Sequence, residues 1–262
     1  VSVVETRLAG GIAHVTLNRP DKRNALDAAT LEALTTELLR CEQDSAVRVV
    51  QLTGSGAVFC AGADLLEMQA QRQASEADNL AHARKLSRLL GVLHALPKPT
   101  VARVNGDGYG GALGLIGACD IVVVAEAAKF AFTEVRLGII PAVISPFVLG
   151  KMSESAALRY FQTAESIDAA TLKEIGLAHE VAPEPQLDAT CTRITDALLK
   201  GAPSALAQAK ALIRDVAQRD PRSRVEASQE MAARLARLRV QPEAREGFEA
   251  FFAKRRPTWR RD

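Results

Sequence analysis

Residues 104–134 read V-N-G-D-G-Y-G-G-A-L-G-L-I-G-A-C-D-I-V-V-V-A-E-A-A-K-F-A-F-T-E, and the fold turns on how they are read. A mostly apolar run, 100–104, leads in and reads as a buried strand. Gly106, Gly108, Gly110 and Gly111 then crowd one turn. Residues 112–118 carry no charged side chain, so as a helix they are buried on nearly every side. A strand that stops in glycines and restarts as a helix leaves free N–H groups at the helix start, which attract negative charge. Glycine also lets a ligand come close to the main chain. Taken alone, such a cluster reads equally well as a tight connection packed in a core. Upstream, however, Phe59-Cys60-Ala61-Gly62-Ala63-Asp64-Leu65 repeats the design.

Around these two turns, strands alternate with helices over the first half of the chain. Residues 3–8 and 12–17 are strand-like and joined by Gly10-Gly11, a hairpin signal. Asp27 can cap a helix whose Leu31, Leu34, Leu38 and Leu39 fall at helical spacing. Residues 47–53 form a β-branched strand. The polar segment 67–79 has no clear period and reads as frayed helix or mobile loop. Residues 80–96 are helical, with Leu86, Leu89, Leu90 and Leu93 on one face, and Pro97-Lys98-Pro99 ends them. With a strand at 121–125, the alternation predicts an α/β protein with a mainly parallel sheet covered by helices.

From residue 143 the period is helical: 153–162, 168–175, 187–200, 204–218, 222–238 and 243–255, with 178–182 as the one good strand candidate. Gly201-Ala202-Pro203, Asp220-Pro221 and Gln241-Pro242 mark off the last three helices. This divides the chain into an α/β core, 1–200, and a helical region, 201–262. Met231, Leu235, Leu238, Phe248, Phe251 and Phe252 make that region very apolar, which favours contact with another subunit.

Composition narrows the classes. The 262 residues are 48% hydrophobic and 24% charged, as in an ordinary soluble globular protein. Lys plus Arg is 33 and Asp plus Glu 31, so a net charge of +2 makes no general case for nucleic acid. Lys254, Arg255, Arg256, Arg260 and Arg261 read as a solvated tail, with contact to a phosphorylated ligand left open. No apolar run is long enough for a membrane span and no signal-peptide pattern opens the sequence, so a cytoplasmic protein is expected. Cys41, Cys60, Cys119 and Cys191 lack metal-like spacing and read as reduced core residues, Cys60 included. His14, His82, His94 and His179 form no metal pattern either; His14 is expected to face solvent. The absence of G-x-S-x-G argues against a serine hydrolase.

Each turn offers a backbone N–H between a strand end and a helix start, at Ala63 and at Gly111. Brought together, the two donors can hold one carbonyl oxygen as it becomes an enolate or oxyanion. Here spacing gives way to resemblance. F-C-A-G-A-D-L, K-P-T-V-A-R-V-N-G, Y-G-G-A-L-G, A-C-D-I-V-V-V-A-E and T-E-V-R-L-G-I-I-P, with N-R-P-D-K-R-N-A-L before them and I-G-L-A-H-E-V after, resemble the enoyl-CoA hydratase/isomerase (crotonase) family. These motifs span most of the chain in the family's order.

The resemblance implies a spiral of ββα units followed by a helical trimerisation region, assembled as a trimer or a hexamer of two trimers. It implies an acyl-CoA thioester as substrate, coenzyme A being part of that substrate, with no cofactor and no metal. The oxyanion hole maps onto Ala63 and Gly111. Adenine and phosphate contacts map near Arg23, Ala25, Ala61, Asp64, Leu65 and Leu66; Tyr109 and Gly110 complete the substrate-binding set. A basic residue often stands where Leu66 is, and the Lys254-Arg255-Arg256 cluster is a candidate replacement. Asp64 is also expected to cap the helix after the first turn, and Asp120 to anchor the buried helix to the next strand.

Of the family's two catalytic glutamates, the first would lie three positions after Gly111, where this chain has Gly114. The second maps onto Glu134, whose apolar surroundings should desolvate it and raise its pKa. One base can still add water across an enoyl double bond, or move a proton from Cα to Cγ. The segment 141–148, P-A-V-I-S-P-F-V, with Gly114 and A-A-L-R-Y-F-Q-T-A-E, is similar to bacterial hydratases of the methylglutaconyl-CoA type, whose substrates carry a second carboxylate. Arg136, Tyr109 and Ser145 are the candidates to meet it. Hydratase is the favoured expectation; the alternatives are a double-bond isomerase and a catalytically weak acyl-CoA-binding subunit.

Overall fold

A computed structural model describes residues 2–217 and 224–260. It contains two compact units: one made of residues up to Leu96 plus Thr100–Thr195, the other of Pro97–Pro99 with the chain from Asp196 onward.

In the first unit, β1 (Val4–Ala9) and β2 (Ile12–Leu17) form the hairpin, and α1 (Ala28–Gln43) follows, capped by Asp27, whose carboxylate accepts the Thr30 amide at 2.7 Å. From there the chain repeats one pattern. β3 (Val49–Gly54) and β4 (Val58–Cys60) lead to α2 (Leu65–Gln71) and α3 (Glu76–Ala95). β5 (Thr100–Val104) and β6 (Asp107–Tyr109) lead to α4 (Gly111–Ala118). β7 (Ile121–Ala125) and β8 (Lys129–Ala131) lead through a 3₁₀ turn, Glu134–Leu137, to α5 (Ser145–Val148) and α6 (Glu154–Thr163). After β9 (Ile167–Asp168), α7 (Ala169–Glu174) and β10 (Glu180–Ala182), α8 (Leu187–Lys200) runs across the boundary between the units.

The first strand of each repeat joins one sheet and the second strand joins another. The six-stranded sheet has the order β1-β2-β3-β5-β7-β10, parallel except for the hairpin, and the four-stranded sheet the order β4-β6-β8-β9. In the second sheet β4, β6 and β8 are parallel neighbours, while β9 runs antiparallel to β8. This is a spiral of ββα units. Alternation carries it: Ala13, Val15 and Leu17 of β2 face the core while His14 and Thr16 between them do not. His14, expected to face solvent, is half-buried instead, and burial, then the neighbouring Arg7, holds its imidazole's pKa below the ordinary value.

Helices close the core. Leu31, Leu34 and Leu38 of α1 and Leu89, Leu90 and Leu93 of α3 are buried, each contributing roughly 1.5–3 kcal/mol. In α4 every residue from Ala112 to Ala118 is buried. Asp120 ties the end of this helix to the start of β5: its carboxylate accepts the Thr100 amide at 2.9 Å and hydroxyl at 3.0 Å.

Two local expectations need correction. The segment 67–79 is largely helical: α2 ends at Gln71, and α3 starts at Glu76, capped by Ser75, whose hydroxyl accepts the Asp78 amide at 3.2 Å. Short strands β4, β6, β8 and β9 also form a whole second sheet that no strong β pattern marks.

In the second unit, α9 (Pro203–Ala217), α10 (Arg224–Arg239) and α11 (Pro242–Phe252) are the three expected helices. The Asp220-Pro221 boundary and Arg261 lie outside the described residues. Glu243 accepts the Ser204 amide at 3.0 Å, and the Trp259 indole donates to the Lys200 carbonyl at 3.2 Å. Phe251 and Phe252 are 76% and 77% exposed, and Leu235 and Phe248 about half exposed. Lys254, Arg255, Arg256 and Arg260 are all exposed, as expected, and Arg255 is paired. Arg255 makes a bidentate pair with Glu246 at 2.7 and 2.8 Å, which with the Thr258 amide pulls the Glu246 carboxyl down to about 2. Among the described residues no helix is long and apolar enough to cross a membrane.

Candidate active site

Three neighbouring parallel strands, β4, β6 and β8, end side by side, and ligand sites in parallel sheets form beyond such carboxyl ends. Cys60, Gly108 and Phe130 share one rung. Just past the ends lie Ala63, Gly111 and Glu134. All three line one cavity of about 230 Å3, together with Leu26, Leu31, Leu86 and the segment 139–144. What the sequence keeps tens of residues apart, the second sheet brings together.

The backbone leaves two amides free there for separate reasons. Ala63 forms a parallel bridge with Leu26, in which the Leu26 amide donates to the Gly62 carbonyl at 2.7 Å and the Asp64 amide to the Leu26 carbonyl at 3.2 Å. A parallel bridge uses the residues flanking its centre, so the Ala63 N–H points away from Leu26. Gly111 opens α4, and the first N–H groups of a helix have no intrahelical acceptor. Neither amide has a hydrogen-bond acceptor among the described residues.

Small residues make this approach possible. Gly62 has φ +85°, and a Cβ there would sit 2.6 Å from the Tyr109 carbonyl oxygen and 3.7 Å from the Gly111 nitrogen. At Gly110, with φ +50°, a Cβ would lie 3.4 Å from Oε1 of Glu134. Both positions demand a left-handed backbone as well as an absent side chain.

Glu134 starts the 3₁₀ turn after β8. Its Oε2 is buried and has no hydrogen-bond partner among the described residues. Burial pushes the carboxyl up from its ordinary value, against a smaller opposing pull from its own backbone N–H. Cys60 is fully buried nearby, and burial pushes its thiol up to about 12, so it is a core residue and no nucleophile.

The other sequence-derived residues flank the cavity without lining it. Arg23 and Ala25 run beside Ala61, whose amide donates to the Arg23 carbonyl at 2.9 Å. Arg23 extends an exposed guanidinium, 4.0 Å from Asp107. Leu65 and Leu66 are 79% and 69% exposed at the start of α2. Asp64 is buried: it caps α2 by accepting the Leu66 amide at 2.9 Å and pairs with Arg19 at 3.1 Å. Burial alone would push its carboxyl up; the Leu66 amide and the Arg19 guanidinium outweigh that and hold it below its usual value. The same Arg19 reaches Asp27 at 3.0 Å, so one guanidinium joins the caps of α1 and α2.

The three residues put forward for a second carboxylate are committed elsewhere. Arg136 donates to the Ala164 carbonyl at 2.8 Å, Tyr109 to Asp107 at 3.0 Å, and Ser145 to the Ala142 carbonyl at 2.8 Å. None of them lines the cavity.

At Gly114 there is no space for a second carboxylate. A Cβ there would lie 2.5 Å from Cγ2 of Ile144 and 3.0 Å from Cδ1 of Leu90. Ile144, from the segment ahead of α5, occupies that room. Sequence reading also missed Gln71, His82 and Ala83, which α2 and α3 bring to the cavity. The available signal was Ser75 three residues before Asp78, a helix-start pattern.

Comparison with known proteins agrees with this architecture. The family model for enoyl-CoA hydratase/isomerase matches residues 7–262. An enoyl-CoA isomerase/hydratase of Mycosarcoma maydis is 35% identical, over 78% of this chain and 77% of its own length. The mitochondrial enoyl-CoA hydratase domain-containing protein 3 of Mus musculus is 32% identical, over 98% of this chain and 84% of its own. Among solved structures, an enoyl-CoA hydratase of Shewanella pealeana superposes with a TM-score of 0.93 at 38% identity, covering 98% of this chain and 96% of that one.

Proposed function

The chain belongs to the enoyl-CoA hydratase/isomerase family and has the crotonase fold, and we propose that it adds water across the α,β double bond of an enoyl-CoA thioester. One observation carries this reading: the Glu134 carboxylate, whose Oε2 has no partner among the described residues, shares a cavity with two acceptor-free backbone amides. The amides of Ala63 and Gly111 grip the thioester oxygen and stabilise the enolate that forms when the β-carbon is attacked. Glu134 takes a proton from water as the oxygen adds to Cβ, then returns that proton to Cα as the enolate collapses. A carboxyl whose pKa lies above the ordinary range serves both halves of this exchange.

At about 230 Å3 the cavity lies below the ~300–1,000 Å3 usual for small-molecule pockets, which favours a short acyl group. The exposed Arg23 guanidinium beside the 61–66 turn suits a coenzyme A phosphate. The exposed apolar side chains of α10 and α11 suit a trimer or a hexamer of two trimers.

A second reading rests on Ile144. With position 114 filled by an aliphatic side chain, no second carboxylate helps to hold water, and an isomerase moving one proton between Cα and Cγ needs none. The test is turnover of crotonyl-CoA and of a 3-enoyl-CoA in deuterated water, by the wild type and by Glu134→Gln, with products read by mass spectrometry. A gain of one deuterated water that disappears in the variant supports the hydratase. A shifted double bond without added water moves the assignment to isomerase. Binding without either product makes the protein an acyl-CoA-binding subunit.

A further inference from the structure

The cavity that holds Glu134 has two further polar side chains in its wall, Gln71 at the end of α2 and His82 on α3. The proton transfer proposed above uses neither. His82 is paired: its Nδ1 lies 3.5 Å from Oε2 of Glu67. The other oxygen of Glu67, Oε1, accepts the Ala28 amide at 2.6 Å, one of the free N–H groups at the start of α1. The backbone therefore clamps this carboxylate in place. Its Oε2 is buried and has no hydrogen-bond donor among the described residues, a costly arrangement unless a proton faces it. Nδ1 of His82, 3.5 Å away, is the ring nitrogen beside it, short of hydrogen-bond geometry in this structure. A small rotation of the ring would let Nδ1–H donate to Glu67, and Nε2, which has no partner among the described residues, is then open to something else.

We infer that His82, with Glu67 as its positioning residue, binds a hydrogen-bonding group at the far end of the acyl chain, a hydroxyl or a carboxylate. The inference rests on the reading that this cavity takes the acyl part of a thioester. A hydroxyl can donate to Nε2 of the neutral ring; a carboxylate accepts from Nε2 when the ring carries both protons. The surrounding wall of Leu26, Leu31, Leu86 and Ile144 is aliphatic, so a polar contact there discriminates strongly between chains that can pair with it and chains that cannot.

Three saturated thioesters that cannot be hydrated test this by titration calorimetry: pentanoyl-CoA, 5-hydroxypentanoyl-CoA and glutaryl-CoA, equal in carbon count. The wild type should bind at least one of the two polar thioesters about tenfold more tightly than pentanoyl-CoA, the gain expected of one good hydrogen bond. The favoured one identifies the group as hydroxyl or carboxylate. In His82→Leu the preference should fall to within about twofold. Glu67→Gln keeps an oxygen for the Ala28 amide while turning an N–H toward His82, so it should erode the same preference; a merely structural Glu67 would leave the ratio alone and lose its positioning role. A wild type indifferent to the polar end, or a preference that survives His82→Leu, overturns the inference. If turnover depends on Glu134 yet no polar preference exists, this inference alone falls. If the preference exists without turnover, the hydratase reading falls and the site stands.

Discussion

Replacing Gly114 by alanine tests whether Ile144 truly occupies the place of the missing second carboxylate. The new Cβ would lie 2.5 Å from Cγ2 and 3.1 Å from Cβ of Ile144, and 3.0 Å from Cδ1 of Leu90. Ile144 and Leu90 are 2% and 0% exposed, so neither can swing into solvent. Overpacking of this kind costs about 1–3 kcal/mol, and the severity of the contact places it near the upper end. Alanine gains about 1 kcal/mol over glycine inside a helix, which offsets part of that. The net expectation is a loss of about 1–2 kcal/mol, read as a fall in Tm of roughly 3–6 °C. Ile144→Ala alone opens a cavity and destabilises by about 2–5 kcal/mol. In that background the 2.5 Å contact is gone while those with Leu90 and with Cβ of residue 144 stay, so Gly114→Ala should cost markedly less than in the wild type. Thermal unfolding of wild type, both single variants and the double variant, followed by circular dichroism, closes the cycle. An equal Tm loss from Gly114→Ala in both backgrounds would falsify the assignment of Ile144 as the occupant.

Three further outcomes follow from the same geometry. Glu134→Gln should stabilise the protein at pH 7–8: a carboxyl with a raised folded-state pKa gives stability that is present at low pH and lost as pH rises through that value, so the gain should vanish in Tm measurements below about pH 4. Arg19→Met leaves Asp64, whose side chain is 8% exposed, without its guanidinium; a loss of about 3 kcal/mol is expected in denaturant titration, and a loss under 1 kcal/mol would show the bridge to be incidental. Gly62→Ala forces a Cβ to 2.6 Å from the Tyr109 carbonyl at φ +85° and so displaces both free amides; kcat on crotonyl-CoA should fall about 100-fold in a variant that keeps its circular dichroism spectrum, and near-normal turnover would count against the amides as the oxyanion site.

Much of the site was legible because local chemistry marks it. Glycine and alanine at residues 61–63 and 110–112 announce a close backbone approach wherever the chain folds, and Asp64 behaves as the helix cap its position predicts. Glu134 was legible through the apolar run before it and the family's spacing, and its burial follows from β8 ending beneath it. The segment 67–79 was misread because its polar residues hide the helical period: α2 buries none of its residues. For His82 the sequence shows only the lack of a metal-like pattern, because Glu67, 3.5 Å from it, lies fifteen positions away on another helix.

The sequence by itself determined the main helices and the strands of the larger sheet, the alternation of strand and helix, the two glycine turns and the family, since each depends on neighbours within a few residues or on motifs in order. Only the tertiary structure decided that β4, β6 and β8 stand side by side, so that Ala63, Gly111 and Glu134 meet in one cavity. It alone decided that Ile144 fills the space at Gly114, that Arg136, Tyr109 and Ser145 are engaged elsewhere, and that His82 lines the cavity of Glu134 with Glu67 3.5 Å from it. The reason is physical. Helix and strand periods are set by backbone geometry a few residues long, whereas space and partnership depend on atoms that close packing brings from distant parts of the chain.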